Sequence, residues 1–272
     1  MRIAAVLVVG TLALSVAGGA WWMIGAETIT EDAPIAALPL PPFPPRLTED
    51  PVYESCLSAL PEAPAAAHAL IARWTAGGLP ARHCQALAWI AEGRQSDGAT
   101  ALESLAETPD LPSRFRALLL DQAADAWAQA RADEHAYRVI GRAVALVPDD
   151  PDLLVRHARV AGRIGRDTEA IDDLTRVLRI EPDRVDALLA RAMAWRRLDR
   201  LDQARGDIDR AAGIAPTDAE VLLERGIQRQ QGGDLLGARE DWLRVVDLEP
   251  DSEAADLAEQ NLALLEAGPV RR

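Results

Sequence analysis

Two patterns of apolar residues divide the chain, one unbroken and one periodic. Residues 3–24 carry no charged side chain. As a helix, these 22 residues span roughly 33 Å at about 1.5 Å per residue, close to the hydrocarbon core of a bilayer. The periodic pattern lies further on. Pro148, Pro182, Pro216 and Pro250 are spaced 34 residues apart, and counting back from each defines units 117–150, 151–184, 185–218 and 219–252. The fourth position is always Leu (Leu120, Leu154, Leu188, Leu222) and the eighth always small (Ala124, Ala158, Ala192, Gly226). The twentieth is Ala (Ala136, Ala170, Ala204, Ala238), and the twenty-fourth is large and apolar (Ile140, Leu174, Ile208, Trp242). An interval of this length holds two antiparallel helices of about thirteen residues with their turns. Small residues at positions eight and twenty let the two helices cross closely, and the large residue fills the space toward the next unit. Proline then ends the second helix, while Gly165 and Gly233 at position fifteen suit a left-handed end to the first.

This register resembles the tetratricopeptide repeat (TPR), as found in proteins of the bacterial cell envelope. The resemblance implies an all-α fold, a right-handed superhelical solenoid of antiparallel helix pairs, and it is strict over 136 residues. Upstream, residues 50–116 read as degenerate units. Ala86, Gly93, Gly98 and Leu102 keep positions eight, fifteen, twenty and twenty-four of a unit 79–112. A looser pair of helices is expected over 51–60 and 63–76. Residues 253–272 read as a capping helix and tail, the cap covering the apolar face left open by the last unit.

The N-terminus bears on the compartment. Trp21 and Trp22 suit an interfacial belt and favour a retained anchor, whereas Gly18, Ala20 or Ala26 would serve as a cleavage site. Residues 1–26 are therefore either a membrane anchor or a signal peptide. Arg2 precedes the apolar run, and Glu27, Glu31 and Asp32 follow it, so both readings export the body of the chain. The expected location is the periplasmic side of the bacterial inner membrane, through residues 3–24 if uncleaved, or the soluble periplasm if cleaved. Residues 27–49 form a linker whose Pro39, Pro41, Pro42, Pro44 and Pro45 favour an extended spacer. All 29 basic residues are Arg, and the formal net charge of −14 argues against a nucleic-acid partner.

The helical body offers no chemistry. It contains no GxSxG, HExxH, P-loop or GxGxxG motif, and His68, His83, His135 and His157 share no catalytic spacing. No enzyme activity, cofactor or metal is expected, because His83 beside Cys84 lacks a ligand spacing such as CxxC. In the TPR arrangement Cys56 and Cys84 fall on neighbouring first helices, and in an oxidising compartment the resemblance implies a disulfide. Two buried thiols, or a redox or metal role, are the alternatives. Position seven (His157, Arg191, Arg225) and position twenty-three (Asp173, Asp207, Asp241) imply ion pairs between the two helices of a unit. Trp89, Trp127 and Trp195 are expected in the core.

The first helices of a TPR array line its concave face. The family's contact positions, carried onto this chain, include Arg159, Arg163, Met193, Arg196, Arg197 and Ile227. Arginine forks suit carboxylates, so the expected partner is a protein or peptide segment, acidic or C-terminal. The Lys- and Asn-based carboxylate clamp of chaperone-binding TPRs is not matched. These features suggest a non-catalytic scaffold or adaptor, with a periplasmic assembly chaperone, similar to the TPR subunits of cytochrome c maturation, as the alternative.

Overall fold

The computed structural model describes residues 47–74 and 77–267. The apolar run, nearly all of the linker and the last five residues of the tail lie outside the described residues. No described helix is long and apolar enough to cross a membrane. The described chain is a succession of thirteen helices, as the periodicity predicts. They are α1 (Pro51–Ala59), α2 (Pro64–Arg73), α3 (Gly78–Ala91), α4 (Gln95–Ala106), α5 (Ser113–Gln129), α6 (Asp133–Leu146), α7 (Pro151–Arg163), α8 (Asp167–Ile180), α9 (Val185–Arg197), α10 (Leu201–Ile214), α11 (Ala219–Gln231), α12 (Leu235–Leu248) and α13 (Glu253–Ala267).

Local chemistry sets these boundaries. Asp150 accepts from the amides of Asp152 and Leu153 (3.0 and 3.2 Å) while Pro151 opens α7, so an orphan donor pair is satisfied and the missing proline amide costs nothing. Asp50 does the same for Val52 at the start of α1. Each turn inside a unit passes through the left-handed region at position fifteen, with Gly93, Gly165 and Gly233 at φ of 83°, 77° and 84°. Arg131 and Asp199 adopt the same conformation at 60° and 58°, so the turn is a property of the repeat and not of glycine alone. Two ends differ from expectation. Pro112 starts α5 four residues before the unit frame does, and α2 stops at Arg73, where Trp74 leaves helical geometry and turns its ring toward Tyr53 (centroids 6.3 Å apart).

Each helix packs on the next, and α9 also touches α7 and α11, so the first helices of successive units lie side by side. Burial is local, each cluster drawing on one to three neighbouring units. Instead of one central core there are five local clusters, such as Leu154, Ala158, Ala170 and Leu174 in one unit and Leu222, Ala238, Trp242 and Val245 in another. Positions eight and twenty-four are matched to one another. A Cβ on Gly226 would lie 2.4 Å from Trp242 Nε1, so the one unit with an indole at position twenty-four is the one with glycine at eight. Helix α13 lies against α12 and α11 and buries Ala255 and Ala258 on the last unit.

At the other end, a Cys56–Cys84 disulfide ties α1 to α3 with Cα atoms 6.4 Å apart. Beside it Tyr53 donates its hydroxyl proton to His83 Nδ1 (2.6 Å), and His83 Nε2 donates to Gln122 Oε1 (2.7 Å), so one hydrogen-bond chain crosses α1, α3 and α5. The assignment follows from chemistry: a carbonyl oxygen accepts, so Nε2 carries the proton and Nδ1 the lone pair.

Candidate functional site

Helices α7, α9 and α11 line a groove of about 410 Å³. Its floor is apolar, formed by Ala158 on α7 and by Leu189, Ala190 and Met193 on α9. Its walls are charged: Arg159 and Arg163 from α7, Asp186 and Arg197 from α9, and Glu220 from the first turn of α11. Four of the six expected contact residues, Arg159, Arg163, Met193 and Arg197, are thus brought together.

The other two are placed elsewhere. Arg196 forks onto Glu224 at 2.6 and 3.0 Å. Glu224 is only 3% exposed and also accepts from Gln228, which makes the pair a strut between α9 and α11. Ile227 is half-buried against the cluster around Trp242 and Leu222.

The groove arginines do not form an open basic stripe. Arg163 Nε donates to Asp133 Oδ1 at 2.8 Å, and Arg197 Nε donates to Asp167 Oδ1 at 2.7 Å. Both pairs join position thirteen of one unit to position seventeen of the unit before. Asp186 is held by Arg184 through Nε (2.8 Å) and Nη2 (3.3 Å). Burial works to raise its carboxyl, but the hydrogen bonds and charge of Arg184 outweigh this and hold it below the usual carboxylate range. Arg159 is the exception: its nearest carboxylate is Asp186 at 4.0 Å, and its side chain is 52% exposed. Glu220 is exposed and makes no ion pair among the described residues.

The repeating ion pairs inside units form as the spacing predicts. His157 Nδ1 meets Asp173 at 2.5 Å, while Arg191 forks onto Asp207 and Arg225 onto Asp241. The first unit replaces the pair with Ala123 and Val139, both buried. The tryptophans correct an expectation. Trp89, Trp127 and Trp195 are only half-buried, the last two packed against the edges of clusters. A buried indole N–H needs a polar partner, which the fully buried Trp242 has in the Leu223 carbonyl oxygen (3.3 Å). Trp127 finds one in Glu103 (2.8 Å). Trp89 instead lines a second hollow of about 280 Å³ against α2 and α4 and carries Arg94 over its ring, 4.9 Å from the centroid. His83, with both nitrogens engaged, is a buried link; burial is the larger influence and pulls its pKa down to about 4 despite the Gln122 hydrogen bond.

Sequence reading missed Asp133, Asp167 and Arg184 as determinants of the groove. The signal for the first two was present. Arg occupies position thirteen in the two units whose predecessors have Asp at seventeen, and Gln231 faces a predecessor with Leu201 there.

The helix pairs and the groove across their first helices define a helical-repeat solenoid of the TPR type. No family model matches the chain, and no curated protein matches it in sequence. Solved TPR structures do share the fold. MamA from Desulfovibrio magneticus RS-1 is 18% identical, with a TM-score of 0.55 over 64% of this chain and 97% of that one. Pseudomonas aeruginosa pilF is 16% identical, with a TM-score of 0.58 over 77% of this chain and 96% of its own. YrrB, described as a TPR protein with an unusual peptide-binding site, is 16% identical, with a TM-score of 0.51 over 66% and 91% of the two chains.

Proposed function

We propose that this chain is a non-catalytic scaffold or adaptor of the bacterial cell envelope, held on the periplasmic side of the inner membrane by residues 3–24 or released there by cleavage. It takes a segment of a partner protein in the groove across α7, α9 and α11. The observation that carries the reading is the groove itself: an apolar floor between charged walls, of a size within the range of small-ligand and side-chain sites. The described peptide-binding site of the similarly folded YrrB and the acidic, export-oriented sequence support it.

A photo-crosslinking amino acid at Met193 of the full-length chain in its native cells tests this. Crosslinks to one or two envelope proteins are expected, lost when Ala190→Trp fills the floor. Crosslinks confined to cytoplasmic proteins would overturn the location. Crosslinks at Met193 that match those at an exposed position on α12, such as Leu236, would overturn the groove.

A further inference from the structure

The ionic accounting of the groove sharpens what it takes, on the reading that the groove is the binding site. We infer that it selects a segment carrying one carboxylate and one cationic side chain on either side of an aliphatic residue, the carboxylate at Arg159 and the cation at Glu220.

The reason is that every other charge in the walls is already matched. Asp133 takes Arg163, Asp167 takes Arg197, and Arg184 takes Asp186. Arg163 and Arg197 keep free Nη donors, but the charge of each is already neutralised by a carboxylate at 2.7–2.8 Å, so a ligand carboxylate gains less there than at Arg159. Arg159 gives up only a contact at 4.0 Å, to a carboxylate that keeps two other bonds. At the other end Glu220 stands uncompensated for a reason visible in the repeat. It occupies position two of its unit, as Asp186 does in the unit before, and position nine of the preceding unit faces it. That position is Arg159 opposite Asp186 but Met193 opposite Glu220. The methionine supplies floor where a cation would otherwise supply charge, and the missing cation is left to the ligand.

A uniformly acidic segment is disfavoured on the same grounds, since Asp186 and Glu220 both face the groove and the chain carries a net charge of −14. Packed helices are spaced about 8–10 Å apart. The span from α7 to α11 therefore corresponds to roughly five or six residues of extended chain at about 3.3 Å each.

The test is to pan a random twelve-residue peptide library on the full-length chain and measure the enriched peptides by fluorescence anisotropy. Enrichment of an acidic and a basic residue four to six positions apart is expected. Arg159→Glu and Glu220→Arg should each weaken binding about tenfold or more, and repanning on each variant should reverse the sign selected at the matching position. Resynthesis with free and amidated C-termini separates a terminal carboxylate from a side-chain one. Peptides that are uniformly acidic or uncharged, or whose affinity survives both charge reversals while Ala190→Trp abolishes it, would overturn the charge assignment and leave the groove standing. Peptides that still bind with Ala190→Trp, or no enrichment at all, would overturn both. Circular dichroism of each variant confirms that it is folded.

Discussion

At the scale of single residues, two buried ionisable groups act against one another. His83 is fully buried, and its pKa falls from 6.5 to about 4. The unfolded chain takes up a proton below about 6.5 that the folded chain refuses until about 4, so acidification through that window destabilises. Asp121 behaves oppositely. Burial is the main influence and pushes its carboxyl up to about 6; Arg156 lowers it, and Asp125, Asp150 and Asp152 add to the rise. Its Oδ1 lies 3.2 Å from Arg156 Nε, yet the contact is too poorly aimed to be a hydrogen bond. Here the folded chain takes up the proton first, so acidification between about 6 and 3.8 stabilises. Each effect is on the order of 3 kcal/mol at about 1.4 per pKa unit, and in the native protein they largely cancel. Asp121→Asn should raise the melting temperature at pH 7 and uncover a steeper loss between pH 6 and 4, whereas His83→Gln should flatten or reverse that loss. Thermal melts at pH 7, 5 and 4 read this directly, and identical pH profiles for all three proteins would refute it. Gly226 gives a steric test at the same scale. Gly226→Ala forces a methyl against the Trp242 ring and should cost about 1–3 kcal/mol, with Trp242→Leu restoring tolerance of the alanine; urea denaturation of the four proteins of the cycle measures the coupling.

At the scale of elements, legibility depended on whether a feature repeats. The helix pairs of 117–252 were readable because positions four, eight, twenty and twenty-four return four times. The Arg191–Asp207 and Arg225–Asp241 forks were readable because they recur sixteen residues apart within a unit. Arg196 was misread as a ligand contact because its partner Glu224 has no counterpart in the other units, where position six is Gln122, Arg156 and Ala190. The end of α2 was misjudged for a related reason: Trp74 leaves the helix to reach Tyr53, a tertiary event without local sequence signal. This terminal pair is also weakly anchored. Helix α2 buries only Ala67, and α1 only Tyr53 and Cys56. The disulfide therefore carries much of its attachment. Closing a loop of about 29 residues contributes about 3–4 kcal/mol on the chain-entropy model. Cys56→Ser with Cys84→Ser should release α1 and α2 to fast amide hydrogen exchange while α7 to α12 keep their protection. Uniform loss of protection along the chain would show that the terminal pair is instead part of one cooperative unit.

At the scale of the whole molecule, stability is a sum over local cores and the joints between them. What the groove holds was least legible, because it is set by which charges are left over after pairing, and that requires three-dimensional bookkeeping. The joints, by contrast, have a grammar. Unit 151–184 presents Arg163 backward to Asp133 and Asp167 forward to Arg197, so it carries both halves of the same fastening. It is in this sense self-complementary: a duplicate spliced in after residue 184 would meet its own template through the same contact and hand on an unchanged face to the following unit. The array is thereby open to lengthening by gene duplication at that one seam, and unit 151–184 is the natural monomer of a longer chain.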